Sequence, residues 1–320
     1  MAGRILGLAV YALVTVGMSA CGGSQLSKPM GVNTTSAALP FHTLNGKSGR
    51  ALETEDFYRQ LSDANVVCIG ESHDNPHDHW AQLTIVKELS SRWDGKAEFA
   101  LAMEMFQRPF QPVLDDYSAG KIDETQMLVN SGWSQRWGFD WALYEPIVSF
   151  VRQKNGKLLA ANVSKELKKK VSKLGLDGLS EDEKARIPEL DLDDPAHVGW
   201  WNEVMDSLGS AHGHGHGHAT KKDPEKSKAL RRKMYTIQVL WDETMADTTA
   251  AWVKSGVNRK AVVLAGNGHC HESAIVARLR RRGINKALSV KPLIDGGAGL
   301  VANAIVQARN DFLFVMTTPR

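Results

Sequence analysis

Short apolar runs alternate along this chain with segments in which apolar residues return every three or four positions. Val66–Gly70 is a continuous apolar run closed by glycine and predicts a buried strand. Behind it, Asn75–Ser91 carries Pro76 in its first turn and Trp80, Leu83, Val86 and Leu89 on one face, which predicts a helix. "AEFALAMEM" (Ala97–Met105) predicts a second strand. Pro109–Ala119 and Glu124–Ser131 predict helices, and "DWALYEPIVSFVRQKNG" an amphipathic helix stopped at Gly156. "KLLAANV" predicts a third strand, before helical segments at Ser164–Leu174, Ser180–Ile187 and Pro195–Leu208. A long polar helix, Pro224–Ser255, leads into the strand "KAVVLAGN", the helix "HESAIVARLRRRG", the strand "KALSVKPL" and the apolar run "DFLFVMT". Strands separated by helices of this length form parallel βαβ units. The expected fold is therefore α/β: a mostly parallel sheet with flanking helices and a helix-rich middle, Leu114 to Lys254, as a cap.

The first residues break this pattern. Arg4, an apolar stretch from Ile5 to Val16, the small residues Ser19 and Ala20, then Cys21 read as a secretory signal, too short for a spanning helix. A cysteine at that place matches a bacterial lipoprotein signal and makes Cys21 the expected lipidation site. Gly22 rather than an acidic residue follows it, which points to outer-membrane sorting. Residues 22–50, rich in Gly, Ser and Thr, are expected to be a flexible tether, and residues 51–320 the α/β domain. A Gly/His-rich loop at 209–220 is expected to interrupt that domain. With a net charge of +3 in 320 residues, no nucleic-acid partner is expected. The basic clusters Lys168–Lys170, Arg231–Lys233 and Arg278–Arg282 read as solvated helix faces. Besides Cys21 only Cys68 and Cys270 remain, too few for a disulfide framework, and Cys68 reads as a buried thiol.

Open α/β sheets bind ligands at the carboxyl ends of their strands. One predicted strand ends in Gly70-Glu71-Ser72-His73, another carries Glu104, and a third ends in Gly266-Asn267-Gly268-His269. Two Gly-x-x-His turns and a strand-end carboxylate bring His73, His269, Glu71 and Glu104 toward one place. Such a set suits a divalent cation such as Zn²⁺ or Mn²⁺, or acid–base work on a bound water. The alternative is that both imidazoles only satisfy backbone groups at the sheet edge. Asp74 is placed to cap the following helix and Asp78 to complement its positive end. His77 and His79, two apart, cannot both turn toward the cluster. In "HGHGHGH", the four residues His212, His214, His216 and His218 suit loose chelation of a divalent metal. Trp133, Trp137, Trp141, Trp200 and Trp201 read as cover for the sheet.

The blocks "GESHDNPHDHWAQLTIVKEL", "AMEMFQRPFQPVLDDY", "FDWALYEPIVSF" and "VVLAGNGH" resemble the ChaN-like haem-binding lipoproteins. That family shares a superfamily with Tiki-type metalloproteases and erythromycin esterases. The resemblance runs from Leu61 to Leu279 around the middle insert. It implies a lipid-anchored envelope protein, on the outer membrane of a Gram-negative bacterium, taking part in haem and iron uptake. It also implies haem held between paired subunits, and an outer-membrane haem receptor or other uptake component as partner. In this family a tyrosine ligates the iron, so Tyr144 and then Tyr117 are the expected ligands, with Tyr58 and Tyr235 the other tyrosines of the mature chain. In the superfamily's enzymes the positions of Glu71, His73, Glu104 and His269 form the active site. The alternative function is accordingly a metal-dependent hydrolase.

Overall fold

The computed structural model describes residues 37–318 apart from residues 212–223 and 298. The described residues fall within one compact unit. Eight strands form one sheet: β1 (Phe41–Asn45), β2 (Ala51–Leu52), β3 (Val66–Ile69), β4 (Glu98–Gln107), β5 (Lys157–Asn162), β6 (Arg259–Leu264), β7 (Ala287–Asp295) and β8 (Phe312–Thr317). Their order is β2-β1-β8-β7-β3-β6-β4-β5. From β8 to β5 every pairing is parallel; β1 is antiparallel to both β2 and β8. The mostly parallel α/β fold expected from the alternation of strands and helices is what forms.

Period-two alternation divides the core between the two faces of the sheet. Val67 and Ile69 of β3 join Leu101, Met103, Leu158, Val262 and Leu264 beneath the helices Thr54–Asp63, Pro76–Trp93 and Glu145–Gln153. Val66 and Cys68 face the other way, with Ala100, Ala102, Ala261 and Val263, against Met245, Ala246 and Ala250 of the helix Pro224–Lys254. The helix-rich middle is present and divides between the two faces, because β5 runs through it. Among the described residues no helix is long and apolar enough to cross a membrane.

Three expectations change. The ordered fold begins before residue 51: within the expected tether, β1 pairs along its whole length with β8, and Phe41 stacks on Phe314 at 4.2 Å. The turn after β1 requires glycine, since a Cβ on Gly46 would lie 2.1 Å from the carbonyl oxygen of Asn310. The flanking Gly, Ser and Thr residues hide this short strand. Cys68 is not a free thiol but is bonded to Cys270 across a sequence separation of 202. Parallel pairing of β3 with β6 brings the turn after β6 back over Cys68, a proximity no local spacing announces. Arg278 is not on a solvated face either. It is 1% exposed and pairs with the buried Glu243, which Arg281 and Arg282 also contact. The expected signal and lipidation site Cys21, within residues 1–36, and the histidines His212, His214, His216 and His218 lie outside the described residues.

Candidate functional site

The ends of β3, β6 and β4 are neighbours in the sheet, so Glu71, the Gly266–His269 turn and Glu104 share one edge. Gly70 gives room for the neighbouring turn, because a Cβ there would meet Asn267 Oδ1 at 2.2 Å and displace that side chain. Gly266 is constrained less tightly. A Cβ on it would lie 2.9 Å from His73 Cε1, 3.3 Å from His73 Nε2 and 3.7 Å from Glu104 Oε2. The two glycines let the turns after β3 and β6 interlock, and Gly266 is where the two histidine-bearing turns meet.

Glu71 is the hub of one half. Its side chain is fully buried. Oε1 accepts from His73 Nδ1 at 2.7 Å and from the Tyr144 hydroxyl at 2.8 Å; Oε2 accepts from Gln82 Nε2 at 3.0 Å. His79 Nδ1 stands 3.6 Å from Oε2. Burial alone would raise the Glu71 carboxyl, but His79 and His73 together hold it below the usual value. His79 also fixes the backbone of the turn, since its Nε2 donates to the His73 carbonyl at 3.1 Å. His77 turns elsewhere, with Nδ1 donating to the Ala37 carbonyl. Asn75, rather than Asp74, caps the helix by accepting the His77 N–H, and Asp78 accepts the Ser72 N–H at 2.8 Å.

The other half is built on His269. Its Nδ1 donates to Asp242 Oδ1 at 2.5 Å, and its Nε2 lies 3.4 Å from Glu104 Oε1. The second oxygen of Glu104 accepts the Gly266 N–H at 2.8 Å. Burial disfavours the His269 imidazolium, yet Glu104 and Asp242 outweigh it and raise the group to about 9. Asp242 is fully buried, and His197 Nε2 stands 3.1 Å from its Oδ2. His271, by contrast, is pushed down to about 3 by burial and stays neutral.

The four residues singled out from sequence thus do come together, in two imidazole–carboxylate pairs, Glu71–His73 and Asp242–His269, with Glu104 between them. Among the described residues no three His, Cys, Asp or Glu side chains gather as a metal site. Sequence reasoning missed Asp242 and Gln82. Asp242 stands on a helix face beside Met245 and Ala246, and an acidic residue among buried apolar positions was the available signal.

Where a tyrosine ligand is concerned, the structure places Tyr144 at 0% exposure, donating to Glu71 and accepting from Trp137 Nε1. Burial, then the Glu71 charge, pushes its phenol far above the ordinary value. Tyr117 is buried too, with the Arg152 guanidinium over its ring. His73 is different: its side chain is 31% exposed, beside the half-buried rings of Trp137 at 4.7 Å and Phe139 at 5.0 Å.

A family model described as "Haem-binding uptake, Tiki superfamily, ChaN" matches residues 57–279. A solved structure described as cofacial heme binding to ChaN of Campylobacter jejuni is 22% identical and superposes with a TM-score of 0.65, covering 87% of this chain and 97% of that one. At that identity the likeness is one of fold. An erythromycin esterase mutant in its open conformation is 13% identical, with a TM-score of 0.43 over 80% of this chain and 77% of that one. Protein RETICULATA-RELATED 5, chloroplastic, of Arabidopsis thaliana is 31% identical over 132 residues, 40% of this chain but only 17% of that protein's length.

Proposed function

This chain belongs to the ChaN family of haem-binding uptake proteins in the Tiki superfamily, and from that premise we propose that it binds haem at the cell envelope and passes haem or iron along an uptake route. The family match over residues 57–279, which spans both halves of the sheet-edge site, is the observation that carries the reading. Haem here is cargo, a flat apolar ring around a ferric iron. The aromatic rim of Trp137 and Phe139 beside His73 offers it a surface of the right chemistry. In this reading the chain is held at the outer membrane by lipid on Cys21, acts as a homodimer, and delivers its cargo to a receptor or other uptake component.

Titration of the purified full chain with ferric haemin tests the reading. A saturable Soret change is the expected result; its absence would remove haem binding as the function.

A second reading has one specific observation in its favour. Two imidazoles, each held by a buried carboxylate, flank Glu104, an arrangement able to move protons at a bound water. That is the hydrolase alternative. Its metal-dependent form needs Zn²⁺ or Mn²⁺ bound tightly in the purified chain, with no haem binding, in the same experiment.

A further inference from the structure

Outside the Glu71–His73 and Asp242–His269 pairs, and independently of the haem-binding reading, we propose that Lys291 and Arg309 form a site for a carboxylate ligand on the second face of the sheet. On β7, Val290 belongs to the core beneath the helices Thr54–Asp63 and Pro76–Trp93, whereas Leu293 packs on the other face. By strand alternation Lys291 shares that second face with Leu293. Val290 pairs with Ile69, so Lys291 stands level with Gly70, one strand away from the turn that carries Glu71. Lys291 is half-buried, and no described residue accepts a hydrogen bond from its ammonium or forms an ion pair with it. Burial lowers it from the ordinary lysine value and the Arg309 guanidinium lowers it further; Asp78, the opposing charge, accepts the Ser72 N–H instead. Such an ammonium costs the fold stability.

Other donors nearby are idle as well. Arg309 Nη2 donates to the exposed Glu203, while its Nε and Nη1 meet no acceptor among the described residues. His271 is 2% exposed, and Ser273 Oγ lies 3.2 Å from its Nδ1. With that hydroxyl donating, the imidazole proton sits on Nε2, a buried nitrogen without a partner. The Arg309 charge bears on His271 as it does on Lys291, and the Trp200 ring of the helix Pro195–Ala211 lies 4.4 Å from the imidazole. Asn267, packed against Gly70, has its Oδ1 buried and unpartnered too, and an amide turned over presents its NH2 there. Donors without acceptors, two of them cationic, make a place for an anion. Lys291 and Arg309 less the Glu203 carboxylate leave one positive charge, because His271 stays neutral. The matching ligand is a monoanion, which a carboxylate is.

The test uses the full chain with its lysines reductively methylated with carbon-13, which keeps their charge and gives each an NMR signal. The pH is held at about 6, below the value of about 7 at which Asp78 takes on its charge. Lys291→Met identifies the Lys291 signal. Acetate at constant ionic strength should move that signal saturably, and Arg309→Gln should weaken the response at least about tenfold. Because Lys291→Met removes an uncompensated ammonium, its urea midpoint should equal or exceed the parent's. Acetate should raise the parent's midpoint and leave the variant's where it is. A Lys291 signal that drifts linearly, as exposed lysines do, or acetate acting alike on both midpoints, overturns the site. A marked loss of stability in Lys291→Met overturns it too, since the ammonium would then serve the fold. Inorganic phosphate bound more tightly than acetate overturns the carboxylate assignment. Haemin titration reads none of these outcomes, so the two readings fail separately.

Discussion

Asp78 shows how one buried carboxylate sets a pH limit on this fold. It sits in the first turn of the helix Pro76–Trp93, is 2% exposed, and accepts the N–H of Ser72, the residue between Glu71 and His73. Burial, the largest influence, raises its carboxyl from 3.8 to about 7; the Ser72 N–H and Lys291 act against the rise, and Glu71 adds to it. The folded chain therefore keeps a proton that the unfolded chain releases between those two values. Stability should fall as pH rises through that window, by about 4 kcal/mol if this group acted alone. Asp78→Asn keeps an acceptor for Ser72 and has no proton to lose. We expect its urea midpoint to decline less from about pH 4 to about pH 7 and to exceed the parent's above that. Equal declines in both proteins would assign the pH dependence to other groups.

Between elements, the tie that matters most joins β3 to the turn after β6. Cys270 follows His269 directly, so its bond to Cys68 fastens the histidine-bearing turn to the central strand. By the loop-closure estimate, a link across a separation of 202 stabilises by up to about 5 kcal/mol. Reduction, or the double change Cys68→Ser with Cys270→Ser, should lower the urea midpoint. Alkylation of the denatured chain without reductant should leave both residues unmodified by mass, and modification of both would show that the link is not made. This tie was illegible in the sequence because it depends on which strands become neighbours. Much else was legible. The run Val66–Gly70 and the period of Asn75–Ser91 gave strand and helix where they stand, and the two Gly-x-x-His turns marked the edge where Glu71, His73, Glu104 and His269 meet. What supports those residues was not. Gln82 and Asp242 reach the site from 11 and 27 residues away from their partners Glu71 and His269; the apolar setting of Asp242 was readable, but which histidine it meets was not. Tyr144 was found by its block, but only burial revealed that its hydroxyl serves Glu71.

For the whole molecule, the N-terminal pattern and the domain make one joint prediction. If Cys21 carries lipid, two acyl chains give stable membrane attachment. Cys21→Ser should then move the chain from the membrane to the soluble envelope fraction, and unchanged fractionation would reject anchoring. The position of β3 has a consequence of a different kind, for the order of events during synthesis. β3 is made early, yet its two partners in the sheet, β6 and β7, begin at Arg259 and Ala287. Its edges stay unpaired until most of the chain exists, and closing so long a span makes folding slow. Throughout that interval "VVCI" is an open apolar template for other chains. A chain built this way gains from being kept unfolded until its last strands have been made.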